Sequence, residues 1–435
     1  MCFDLHAVRC APRRPRGMAA ALALACLSGA LAAQPSTAPQ PTPQPGLSFD
    51  HALAVALSRA PQLDARRASV EGASNAQISA GQLPDPRLAV GIDNLPITGP
   101  DRFSTARDFM TMKRIGYAQE VPNAGKRQAR GDAAQARTAR ERAALDADRL
   151  AVQREAALAW LARYFAEQRL AGFDALEREN RLLQDSLASR ISAGRSLPAD
   201  ALLVRQEALT LADRKDELTR DVAKAQATLK RWIGPAADAP LQGDPPELLP
   251  DALHSPDTVD RHADLATYAP MADVARAELR ELQAAKKGDW GWEVSYAKRG
   301  SAFSDMLSVQ FSFELPLWAA QRQDPQIEVK RKELERIAAE REDMRRRSLE
   351  EVESRLAEHD EMNRKLARLT DAAMPLAAQR VQLLLASYAA GRTDLAVVLA
   401  ARRDSAELQL RALELQAQRM SLRARLAYLV TETRP

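Results

Sequence analysis

The feature that most constrains this chain is a repeat. Gly194 and Gly391 stand 197 residues apart, and the same offset carries Leu211, Leu218, Ala225 and Trp232 onto Leu408, Leu415, Leu422 and Leu429. A glycine turn and four heptad positions kept in step predict a tandem duplication of one set of elements. A second echo agrees with it. Residues 84–122 close on Glu120-Val121-Pro122, and about 195 residues later a similar segment closes on Glu314-Leu315-Pro316.

Each of those segments reads as a β-hairpin. Leu307, Val309, Phe311, Phe313 and Leu315 alternate with Ser308, Gln310, Ser312 and Glu314, the period of a strand with one apolar and one wet face. Trp290, Trp292, Val294 and Tyr296 repeat the pattern against Gly291, Glu293, Ser295 and Ala297. Leu88, Val90 and Ile92 form a shorter version. In the stretch from Phe109 to Val121, Lys113 interrupts the face carrying Ile115 and Tyr117. On pattern alone a water-soluble sandwich and a membrane barrel are both open.

The rest of the chain is helical in period. From Ala124 to about Ala193 there is no proline in about 70 residues, and one helix of that length would run about 105 Å. It breaks at Gly194-Arg195-Ser196-Leu197-Pro198 and returns to Ile233 with Val204, Leu211, Leu218, Ala225 and Trp232 at heptad spacing, a long antiparallel helical hairpin. A second long helix is expected from Ala320 to Ala390, interrupted by Pro325 and Pro375, with its turn at Gly391-Arg392-Thr393-Asp394. Ahead of each hairpin lies a shorter helix: from Ser48 to about Ala80, kinked or divided at Pro61, and from Asp257 or Tyr268 to Lys287.

The resulting plan has residues 1–32 as a signal peptide, 33–47 as a Pro-rich linker, 48–233 as the first repeat with its β-hairpin at 84–122, 234–260 as an inter-repeat segment, and 261–431 as the second repeat with its β-hairpin at 290–316. Arg13, Arg14 and Arg16 precede an apolar run from Met18 to Ala33, and Ala30-Leu31-Ala32 offers a small-x-small cleavage site of an exported protein. Cys26 is a poor match to a lipid-modification site. Cys2, Cys10 and Cys26 all fall in this leader, which leaves the remainder without disulfide or thiolate chemistry. Outside the leader the two signs of charge almost balance and interleave along helical faces, so the pI near 9.0 does not imply a nucleic-acid partner.

No apolar run of 18 residues follows the leader, so a membrane would have to be crossed by strands. Four strands cannot close a membrane barrel, whose smallest single-chain forms need about 8, whereas three copies supply about 12. The expected fold is therefore mainly α with β-hairpins: duplicated long antiparallel helical hairpins forming an α-barrel, with four strands per chain contributing to a trimeric 12-stranded transmembrane β-barrel. Such an assembly is a conduit.

The leader, the duplicated plan, the Glu-apolar-Pro exits at 120–122 and 314–316 and the glycine turns at 194 and 391 resemble the TolC-type outer-membrane efflux proteins over nearly the whole chain. The segment DNLPITGPDRFSTARDFMTMKRIGYAQEVPNAGKR is similar to the branch paired with heavy-metal exporters of the cobalt–zinc–cadmium and copper–silver type. The resemblance implies a homotrimer in the outer membrane of a Gram-negative cell, extending into the periplasm. It also implies a periplasmic membrane-fusion adaptor and an inner-membrane RND pump as partners. The turns, with Gly194, Arg195, Ser196, Gly391, Arg392, Thr393 and Asp394, would be the adaptor-docking tips. Asp200 matches an acidic position that the family uses to hold the tip closed, and a pair of Asp200 with Arg392 or Arg402 would do so here. Val397 and Ala400 stand where a second acidic ring is sometimes found.

Nothing in the sequence reads as an active site, and no cofactor or metal site is implied. His51, His254, His262 and His359 have no metal-ligand spacing, and His254 and His262 are expected at the solvent-exposed junction of the repeats. Gly125-Lys126-Arg127 lacks the upstream glycine of a phosphate loop and is expected to begin a helix. The function that follows is a passive channel for heavy-metal cations. Drug efflux or type I secretion through the same architecture is the alternative, and a periplasmic coiled-coil structural protein is the alternative of another class.

Overall fold

The computed structural model describes residues 46–194, 196–248 and 260–429. The expected signal peptide, most of the linker, Arg195 and His254 lie outside the described residues.

Ser48 opens the first helix, its hydroxyl accepting the His51 N–H at 3.3 Å. Helix α1 (Phe49–Arg59) ends at Ala60, which is extended, and Pro61 starts α2 (Pro61–Ala80). A proline costs nothing at a first helical position because its missing N–H had no partner to lose. Pro61 therefore divides two helices. Strands β1 (Arg87–Asp93) and β2 (Met112–Val121) follow, then α3 (Ala124–Ser192) and α4 (Pro198–Ile233). Asn123 caps α3 by accepting the Lys126 N–H at 2.9 Å, so Gly125-Lys126-Arg127 lies in its first turn.

The second repeat gives α5 (Tyr268–Ala284), β3 (Trp290–Lys298), β4 (Met306–Phe313) and α6 (Ala319–Arg368). The long helix is interrupted beside Pro375, where the sequence predicts an interruption. A π turn at Leu369–Ala373 separates α6 from α7 (Met374–Ala389), and α8 (Leu395–Ala427) returns. The cause is Pro375, which has no N–H for the carbonyl of Asp371, and a widened turn absorbs the mismatch. Pro325 sits near the start of α6 and is accommodated there.

Helix α3 is the spine. At 69 residues it spans about 104 Å. Helix α2 lies along its first half, where Arg66 meets Glu141 at 3.4 Å and Asp148 at 2.8 Å; α4 lies along its second half, where Lys215 reaches Glu177 at 2.7 Å. Two shorter helices thus share one long partner. Where they meet, Trp160 is wholly buried among Phe49, Ala56, Leu63, Leu229 and Ile233, and its Nε1–H donates to the Leu47 carbonyl at 3.3 Å. Phe49 packs edge-on to it with centroids 5.4 Å apart, and Tyr164 stacks on it at 5.4 Å.

The heptad positions point inward as their spacing requires. Val204, Leu211, Leu218, Leu422 and Leu429 are buried, and Ala225, Trp232, Leu408 and Leu415 are half-buried. The two β-hairpins do not stand apart. Strands β2 and β3 pair antiparallel from Lys113↔Lys298 to Val121↔Trp290, which fuses them into one sheet of order β1-β2-β3-β4.

Candidate functional site

The sheet has two faces of opposite character. Register pairs Val90 with Ile115, Ile115 with Tyr296 and Tyr296 with Leu307, so one apolar face crosses all four strands. It is the bare face: Val90 is 77% exposed and Leu307 71%, and Val309, Phe311 and Phe313 are exposed beside them. The other face carries Gly116, Gly291, Glu293, Ser295, Ser308, Gln310 and Ser312. There Arg114 lies between Asp93 at 3.2 Å and Glu293 at 3.5 Å. A soluble sandwich would cover the apolar face and leave the polar one wet. Here the apolar face is uncovered, while on the polar face Gly116, Gly291 and Ser295 are buried and Ser308, Gln310 and Ser312 are exposed. Hydrocarbon on one face and charge on the other is the pattern of a membrane barrel.

The sheet joins the helices through a tight corner. Gly288 has φ +65°, and a β-carbon on it would come within 2.1 Å of the Glu314 carbonyl oxygen. Only glycine fits. Across the corner Lys126 Nζ contacts Asp289 at 2.8 Å, and the Asn123 side-chain amide donates to the Ala284 carbonyl at 2.7 Å.

At the far end of the helices the two turns are built alike. Gly194 and Gly391 adopt φ +68° and +69°, and their N–H groups donate to the carbonyls of Ile191 and Tyr388, each at 3.0 Å. The hairpins are held together by buried Leu187, Val204, Tyr388, Leu395, Val398 and Leu399. Above that cluster the Ser196 and Tyr388 hydroxyls are 2.9 Å apart, Arg190 Nε donates to Ser196 Oγ at 3.3 Å, and the Arg190 guanidinium sits 4.6 Å from the centre of the Tyr388 ring. Sequence reasoning missed Arg190 and Tyr388. Tyr388 occupies the place of Ile191 in the first repeat, so its hydroxyl was a legible departure from the repeat.

Within one chain the structure does not bring Asp200 to Arg392 or Arg402. Asp200 is the third residue of α4, and its carboxylate accepts the Leu197 N–H at 2.9 Å, half of a capping box, since Leu197 has no side-chain oxygen to return. Arg402 lies 3.9 Å from Glu179. The Arg392 N–H donates to the Ser387 carbonyl at 2.9 Å, while Thr393 and Asp394 lead into α8. Farther from the turn, Glu207 is buried 3.6 Å from Arg403; burial pushes its carboxyl above the ordinary range, opposed by the arginine.

His262 corrects an expectation. It is buried, because the next residue, Ala263, donates its N–H to the Leu429 carbonyl at 3.1 Å and docks the junction against the end of α8. Burial lowers its pKa, and its Nε2 has no partner among the described residues. His359 is also buried, accepting from Arg423 Nε at 3.1 Å. Among the described residues no three His, Cys, Asp or Glu side chains converge as a metal site, and no helix is long and apolar enough to cross a membrane.

No protein-family model matches the sequence, and no curated protein matches it. Solved structures do match in fold. A structure of CusC, described for conformational changes that accompany folding and transmembrane channel formation, superposes with a TM-score of 0.75 at 16% identity, covering 88% of this chain and 92% of that one. The outer membrane protein VceC of Vibrio cholerae gives 0.72 at 18% identity, covering 88% and 96%. The open state of the MtrE outer membrane channel of Neisseria gonorrhoeae gives 0.68 at 15% identity, covering 88% of each. The chain has the fold of these outer-membrane proteins. That fold is mostly helical with one four-stranded antiparallel sheet, as the duplicated sequence required.

Proposed function

We propose that this chain is the outer-membrane channel of a tripartite efflux system, working as a homotrimer with a periplasmic adaptor and an inner-membrane RND pump. The observation that carries the reading is the bare apolar face of the sheet, backed by a polar face with charged residues. A lone sheet with that face in water is an aggregation hazard, whereas in lipid the same face is an asset. Three copies would pair β1 of one with β4 of the next and close about 12 strands without a free edge. The helical hairpins would then continue the lumen inward, with the turns at Gly194 and Gly391 as the adaptor-docking tips.

Heavy-metal cations are the proposed cargo, on the strength of the segment from Asp93 to Arg127 and its resemblance to the metal-export branch. The channel itself needs only a wide, wet, polar lumen; selection among ions would fall to the pump. The channel reading also accounts for what a structural coiled coil leaves unexplained, namely the aromatic strands and their outward face.

The test is purification from outer membranes in detergent, with mass determination and planar-bilayer conductance on one sample. A trimer forming discrete pores is expected, and loss of the gene is expected to lower tolerance to divalent metals. A soluble monomer without conductance would sink the reading, and metal tolerance unchanged beside lost drug tolerance would move the cargo to drugs.

A further inference from the structure

The outward face of the sheet is apolar except at two places. Gln119, near the helical end, is satisfied, its Nε2–H donating to the Pro84 carbonyl at 2.7 Å. The other place is at the loop end, where Lys113 and Lys298 are direct register partners across β2 and β3. Both are exposed, and among the described residues neither has an ion-pair or hydrogen-bond partner. Residues directly opposite on antiparallel strands hold their β-carbons about 5 Å apart, and like charges placed so are destabilising. Ile92 flanks Lys113 and brings no charge. Asp305 stands beside Lys298 in the continued register, but it accepts from the Tyr296 hydroxyl and forms no ion pair with either lysine, so at most one of the two ammonium groups has a counter-charge nearby.

Their height on the sheet is informative. From Trp290 to Lys298 along β3 is about 27 Å at about 3.4 Å per residue, close to the roughly 25 Å apolar band of a membrane barrel once tilt is allowed for. One end of that band is marked by Trp290, Phe313 and Trp318, the other by the two lysines. They also sit on the two inner strands of the sheet, so a neighbouring copy joined at β1 or β4 would not cover them.

We propose that Lys113 and Lys298 together bind the phosphate of an anionic lipid in the leaflet that meets the loop end of the barrel. This rests on the membrane-barrel reading above. Two ammonium groups that repel each other become a bidentate clamp once one phosphate lies between them, and their long stems let the charges reach headgroup level from an apolar wall. The lipid thus supplies the ion-pair partner that neither lysine has within the chain.

The test uses the full-length trimer in phosphatidylcholine vesicles containing lipid A with both phosphates, or the same lipid stripped of phosphate, and compares wild type with K113Q/K298Q. Lipid retained by the extracted trimer is read by native mass spectrometry, and thermal stability is read in parallel. Wild type is expected to keep the phosphorylated lipid preferentially. Replacing each lysine is expected to lower that retention about fivefold, and about 25-fold for the pair. Stability should change in opposite senses, the double variant melting higher than wild type without phosphorylated lipid and lower with it. Equal retention of the two lipids, or retention indifferent to K113Q/K298Q, would overturn the proposal while pores still form and the channel reading stands. Equal stabilisation by inorganic phosphate alone would overturn the lipid as its source. Failure to insert into any vesicle would sink both readings together.

Discussion

The hydroxyls of Ser196 and Tyr388 meet at 2.9 Å, and through them the turn of the first hairpin is tied to the last turns of α7 in the second. The tie is reinforced by Arg190, which donates to Ser196 and lies over the Tyr388 ring. Replacing Ser196 by Ala or Tyr388 by Phe should each loosen the turns, and the two changes should be far from additive, with a coupling of about 1 kcal/mol. The checking measurement is limited trypsin cleavage at Arg392, whose rate follows local opening. Additive effects of the two substitutions would show that the hydroxyls do not act together.

Asp200 makes a different contribution in the same region. Its carboxylate satisfies the Leu197 N–H, so Asp200→Ala should cost about 1 kcal/mol of local helix stability through the lost cap alone. As a gate residue it would do more, by pairing across to a neighbouring hairpin. In that case Asp200→Ala raises single-channel conductance. An unchanged conductance beside faster hydrogen exchange in residues 197–201 would leave the cap and remove the gate.

What the sequence made legible here follows from how local the cause is. The duplication, the glycine turns and the division at Pro61 are read from residue types whose backbone preference acts within one turn. The pairing of β2 with β3 is not local: it joins Lys113 to Lys298 and Val121 to Trp290 across more than a third of the chain, and Lys113 reads only as a flaw in a strand until Lys298 is seen opposite it. His262 reads as exposed for the same reason, since nothing local shows that the carbonyl of Leu429 holds the junction down. Pro375 announced a disturbance, but a kink, a break and a π turn share that signature, and only the packing of α6 and α7 against α8 selects among them.

The π turn should respond to its proline. Pro375→Ala supplies the N–H that the Asp371 carbonyl lacks and permits an ordinary helical turn over Leu369–Ala373. Interior proline costs a helix about 3 kcal/mol, and because the wide turn already absorbs part of this, a gain of about 1 kcal/mol is expected. Hydrogen exchange of amides 369–378 should slow accordingly. Unchanged exchange would mean that the packing around Leu366 and Leu369, not the proline, imposes the π turn.

The buried histidines set a pH dependence with a definite sign. His262 is lowered from 6.5 by burial, against Asp264 and Glu351; His359 is lowered by burial and then by the Arg423 charge. In the window below 6.5 the unfolded chain binds protons that the folded chain does not, so stability falls as pH falls through it, and the contribution is fully present above 6.5. Helical melting followed from pH 7.5 to 5 should show this decline. His359→Gln, which can still accept from Arg423, should flatten it. A decline equally steep in His359→Gln and His262→Gln would assign it to carboxylates instead.

The two faces of the sheet predict opposite consequences for neighbouring residues. Val309 is exposed on the apolar face opposite Val294, and Ser308, one residue away, faces the polar side opposite Ser295. An arginine at the midplane of a barrel's lipid face costs about 2–4 kcal/mol, because its charge must be dragged to either interface. Val309→Arg should therefore shift urea refolding into vesicles by that amount, with single-channel conductance little changed in the molecules that insert. Ser308→Arg should insert as wild type does, yet alter conductance and ion selectivity, since three added charges would line the lumen of a trimer. If Val309→Arg refolded normally and Ser308→Arg failed, the faces would be reversed, and the apolar wall would be a protein core instead of a lipid contact.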